Sequence, residues 1–146
     1  MTPDDIAVEP TALRITREVP APPHRVWRAW TDPTELAAWF WPPSFDTRVD
    51  VDLQIGGRFR IESPVMGMAL SGEFVAVDEP YLLVQTWQWD GEAAVTMVTT
   101  EFRAVAGSEE RTEVVVVHER FGAADERDNH VQGWRDCLDR LVDHQF

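Results

Sequence analysis

Lysine is absent from this chain: all 13 basic residues are arginines, set against 26 Asp and Glu, for a formal charge of −13 over 146 residues. A surface this negative repels phosphate backbones and anionic lipid heads, so neither nucleic acid nor a membrane surface is an expected partner. Cysteine is nearly absent too. Cys137 stands alone, which excludes an internal disulfide and fits a cytoplasmic protein. No stretch approaches the ~20 apolar residues of a membrane span, and the opening MTPDDIAVEP has acids but no apolar run, unlike a signal peptide. The histidines at 24, 118, 130 and 144 are scattered and match no Cys/His ligand spacing, so no metal is expected. Gly56-Gly57 precedes a strand-like run rather than a helix and is no phosphate loop. With no Gly-x-Ser-x-Gly elbow either, no cofactor and no nucleophilic chemistry is implied.

What remains has the size of one ordinary domain. Residues 1–10 are read as a flexible tail and 11–146 as a single domain without internal repeats or a linker. LRITREV (13–19) alternates apolar and polar, as a half-buried strand does. Pro22 and Pro23 end it and suit the start of a short helix carrying Val26, Trp27 and Trp30 on one face. In TDPTEL, Asp32 can cap, Pro33 takes the first helical position and Glu35 the third, as in a capping box. That second helix must stop at Pro42-Pro43. Strands then follow near 45–54, 57–63, 69–78, 81–89, 93–104 and 111–120, separated by turn signals too short for anything but antiparallel pairing.

A helix over 124–143 closes the chain, with His130, Gly133, Trp134, Cys137, Leu138 and Leu141 recurring on one face. The order β-α-α-β-β-β-β-β-β-α is an α+β arrangement: a seven-stranded antiparallel sheet that buries one face by curving around the last helix. Gly133 is anomalous there, since an interior glycine costs about 1 kcal/mol against alanine. The expectation is that it lets a neighbouring backbone come close while Trp134 projects across a cleft between sheet and helix.

TREVPAPPHRVWRAWTDPTELAAWF (16–40), GGRFRIE (56–62), GEFVAVDEPYLLVQTWQW (72–89), HERF (118–121) and HVQGWRDCLDRL (130–141) occur in that order. Together they resemble the helix-grip fold of the START-like, or Bet v 1-like (SRPBCC), superfamily. Within it the chain is similar to the branch named after the heat-shock protein 90 ATPase activator homologue. The resemblance implies a cavity between sheet and terminal helix and leaves homodimerisation open. It does not establish a chaperone interaction, because the co-chaperones of that branch add a separate chaperone-engaging module that these residues do not contain.

Alternation assigns the cavity's lining. Trp87 and Trp89 share a side of their strand, as do Phe59 and Ile61, Val98 and Phe102, and Val116 and His118; His130 and Trp134 face them from the helix, and Trp39 and Trp41 form a rim. An apolar, Trp-rich concavity suits a small hydrophobic or aromatic molecule; the alternative is that the same side chains fill a solid core. His118 suits proton transfer by its ordinary pKa, and Glu73 would join it if residues 73, 75 and 77 faced inward; both are weak catalytic candidates. Three readings follow: a non-catalytic binder of a small hydrophobic molecule, a protein-interaction module, and a cyclase, dehydratase or hydrolase using the same cavity.

Overall fold

A computed structural model of the chain describes residues 11–146 in full and residues 5–9 by their backbone. The strands are β1 (Asp5–Glu9), β2 (Ala12–Val19), β3 (Arg48–Val51), β4 (Arg58–Ser63), β5 (Met68–Asp78), β6 (Leu82–Trp89), β7 (Thr96–Ala104) and β8 (Thr112–Glu119). They form one 8-stranded sheet in the order β1-β2-β8-β7-β6-β5-β4-β3, with every pairing antiparallel. Helices α1 (Pro23–Thr31) and α2 (Pro33–Trp39) occupy the connection from β2 to β3, and α3 (Ala124–Asp143) ends the chain. The expected strands β2–β8 are present in the expected order, curved about α3.

Two elements differ from expectation. Residues 5–9 are not a tail: their backbone pairs with β2, from Asp5 opposite Thr16 to Glu9 opposite Ala12, adding an eighth strand. The rest of the expected tail, residues 1–4 and 10, lies outside the described residues. The strand expected over 45–54 shrinks to β3, because Pro43–Phe45 makes a 3-10 turn and Asp46 takes a left-handed φ of 48°. Extended pairing begins only at Arg48.

Local chemistry sets the helices. Asp32 accepts the Glu35 backbone N–H at 3.0 Å, and Pro33 starts α2. Such a cap is worth about 1 kcal/mol. The other half of the expected capping box is missing, since the Glu35 carboxylate turns to Arg25 (2.8 Å), Arg28 (3.3 Å) and His144 (3.1 Å). It thereby ties α1, α2 and the end of the chain together. In β5, a Cβ at Gly72 would collide with the Thr86 carbonyl and crowd the Phe59 ring, so only glycine allows β5 and β6 to close here. Just beyond, a register shift between Phe74 and Ala76 bends the sheet.

The centre of the concave face is solid. Phe102 on β7 is fully buried under Trp27 and Trp30 of α1, with ring centroids 5.6 and 5.5 Å away in edge-to-face contact. Trp30 also meets Trp39 at 5.0 Å and stacks on Trp134 of α3 at 6.3 Å. From the other side α3 buries Trp134, Cys137, Leu138 and Leu141. Arg17, on the inner face of β2, pairs with Asp139 and fixes the helix to the sheet.

Candidate functional site

Beyond the last turn of α2 the packing opens into a cavity of about 630 Å³ between α3, the ends of β5 and β6, and the segment through Pro42. Of the lining assigned by alternation, Trp41, Trp87, Trp89, His130 and Trp134 do stand on its wall. Phe59, Ile61, Val98, Phe102 and Val116 do not; they are core residues, each 3 % exposed or less. Trp39 is likewise no rim residue: it is 1 % exposed and its indole N–H donates to the Ala29 carbonyl at 2.9 Å. Over Phe102 the Trp27 and Trp30 indoles of α1 occupy the cleft, while Phe59 packs on Phe74.

The wall is made of two stacked indole pairs. Trp87 lies on Trp134 with centroids 5.1 Å apart and planes 24° apart, and Trp41 on Trp89 at 6.3 Å and 15°. Trp87 and Trp89 meet edge-on at 85° and so turn the corner between the pairs.

Two of these indoles are held by histidines in opposite tautomers. An indole N–H only donates, so the Trp134 Nε1–H bond of 3.0 Å to His118 makes Nδ1 the acceptor. Neutral His118 then carries its proton on Nε2 and donates to Thr96 Oγ1 at 2.7 Å. In His130 the roles reverse. Its Nδ1 lies 2.7 Å from the Glu126 carbonyl, which only accepts, so Nδ1 carries the proton and Nε2 accepts from Trp89 Nε1 at 3.1 Å.

This network removes the proposed proton-transfer chemistry. His118 is fully buried behind Trp87, with both ring nitrogens engaged. Burial, and secondarily the neighbouring His130, push its pKa down to about 2. A base that binds a proton so weakly cannot accept one near neutrality. Glu73 does not face the cleft either: it is exposed on β5, opposite Arg58, because Gly72 and Phe74 take the inward positions. Cys137 is on the wall, but burial pushes its thiol up to about 12, so it is no nucleophile.

Gly133 has a different reason from the one expected. A Cβ built there meets nothing within 4 Å, so no neighbouring backbone approaches it. The residue instead lies at the cavity, where a side chain would project into open space. Sequence reasoning missed Cys137 and Arg140 as wall residues, although they continue from Gly133 at helical spacing. It also missed Met68 and Phe45, which no periodicity connects to the indoles. Among the described residues no group of three or more His, Cys, Asp or Glu could hold a metal ion. Nor is any helix among them long and apolar enough to cross a membrane.

Residues 20–144 match the model of a family described as activator of Hsp90 ATPase homolog 1-like protein. No curated protein matches in sequence. Several solved structures share the fold. A protein from Rhodobacter sphaeroides superposes with a TM-score of 0.80 at 22% identity, over 95% of this chain and 95% of that one. An HSP90 activator from Plasmodium falciparum gives 0.69 at 25% identity, over 90% and 93%. DynU16, from the dynemicin biosynthetic locus, gives 0.79 at 25% identity, over 92% of this chain but 47% of its own.

Proposed function

The chain belongs to the activator of Hsp90 ATPase homolog 1-like family, and on that premise we propose that it binds a small hydrophobic or aromatic molecule without transforming it. The observation that carries this reading is the indole-walled cavity. Its volume of about 630 Å³ lies within the usual range for small-molecule sites. Phe40, Trp41, Phe45, Trp87, Trp89 and Trp134 give that wall its apolar character. DynU16, from a biosynthetic locus, agrees with a small organic ligand. The enzyme reading loses its candidates, because His118, Glu73 and Cys137 have no available acid–base or nucleophilic role. The interaction-module reading rests on the family's description and the Plasmodium falciparum relative.

The test is titration of the full chain with a neutral aromatic probe such as 2-methylnaphthalene, read by quenching of tryptophan fluorescence. Saturable quenching is expected. Gly133→Phe, which places a ring in the vacant space, should weaken binding by about tenfold, the effect of roughly 1.4 kcal/mol, while Gly133→Ala retains it. A chain that takes up no such probe, or binds it equally well with phenylalanine at 133, refutes the reading.

A further inference from the structure

We infer that the preferred ligand is a planar aromatic molecule bearing an anionic oxygen group, a carboxylate in the simplest case; this rests on the cavity reading above. The shape requirement comes from the corner between the indole pairs. A flat ring lying against one pair presents its edge to the other, and both face-on and edge-on contacts are favoured between aromatic rings.

The polar requirement comes from a cationic donor on the wall. Arg140 is anchored by neutral groups: Nε donates to the Trp39 carbonyl at 3.0 Å and Nη2 to the Phe40 carbonyl at 2.7 Å. Those bonds fix the guanidinium plane at the cavity and leave its charge uncompensated, since no carboxylate among the described residues pairs with it. The end-on edge, formed by Nη1 and the second hydrogen of Nη2, is left to receive a carboxylate through two parallel bonds.

Carboxylates at the mouth weigh less. Asp90 is held by Arg60 through bonds of 3.1 and 2.8 Å. Asp136 and Glu92 are exposed to water, where salt screens them. A cationic ligand would find indole faces attractive, but it would oppose Arg140.

One ring system in three charge states tests the inference: 2-naphthoate, 2-methylnaphthalene and 2-naphthylmethylammonium, each titrated into the full chain. Naphthoate should bind about tenfold or more tighter than the hydrocarbon, as a charge-assisted hydrogen bond allows, and the ammonium weakest. In Arg140→Met the ratio of naphthoate to hydrocarbon affinity should fall to about one. Arg140→Gln, which keeps a polar side chain but lacks the charge, should also erase the advantage, so the test does not depend on Arg140→Met folding. Equal affinities, a preference for the ammonium, or an advantage that survives both substitutions would overturn the assignment and leave the cavity reading intact. Failure of all three probes to bind would overturn both.

Discussion

Acid should destabilise this protein through His118 before its carboxylates titrate. In the unfolded chain the imidazole binds a proton with its ordinary pKa of 6.5, whereas in the folded chain burial holds the value at about 2. Between those values the unfolded state carries a proton that the native state does not, so stability falls as pH falls through that window. Each pH unit below 6.5 removes about 1.4 kcal/mol. From pH 6.5, where the unfolded imidazole is already half protonated, to pH 4.5 the loss is roughly 2.3 kcal/mol, a large fraction of an ordinary domain's stability. It requires only that the folded value lie well under 4.5. Glu35, held below the usual carboxylate range by Arg25 and His144 against the opposing effect of burial, acts in a lower window. Its contribution is present above its unfolded value and fades as pH falls beneath it. The assay is urea unfolding at pH 7.0, 6.0, 5.0 and 4.5, with the wild type beside His118→Gln. Glutamine keeps one acceptor and donors for Trp134 and Thr96 but cannot take up the proton. The wild type should lose close to one proton's worth of slope more than the variant between pH 6 and 4.5. Parallel curves for the two proteins would refute the reasoning.

Gly133→Ala should stabilise the chain by about 1 kcal/mol in the same urea assay, because alanine favours a helix interior and its methyl meets nothing here. A loss of stability would mean that the space beside residue 133 is not open. Cys137 should resist a thiol reagent such as dithionitrobenzoate at pH 8 in the native protein and react promptly once unfolded, since burial both shields it and raises its pKa to about 12. Fast native labelling would place the thiol in solvent.

The fold was legible because its signals are local and repeat. Pro22-Pro23, Asp32-Pro33 and Pro42-Pro43 mark helix boundaries by what proline and aspartate do to a backbone, and alternation fixes strand faces over β4, β6 and β8. The site was legible only in part. Alternation tells which side of β6 faces inward, but Leu83 and Trp87 share that side and one is core while the other is wall. That difference depends on what comes from elsewhere in the chain to cover each position. The histidine tautomers are equally distant from sequence. They follow from contacts between residues 16 and 41 positions apart. Arg140 lay within reach, seven positions after Gly133 on the same helical stripe, but nothing in the sequence says that main-chain carbonyls rather than a carboxylate would hold it.

Where a cavity exists at all is decided by the length of α2. Over the middle of the sheet, Trp27, Trp30 and Trp39 arrive from α1 and α2 and turn the inward residues of β7 into solid core. The cover ends when Pro42 and Pro43 break the helix, and Phe40 and Trp41 are the last bulky side chains it delivers before the turn. Past that point the stripe on β6 continues with Trp87 and Trp89, and α3 offers a glycine where another side chain would have filled the gap. One aromatic stripe thus serves as core under the helices and as wall beyond them. The two prolines and Gly133 place the change at opposite sides of the same opening.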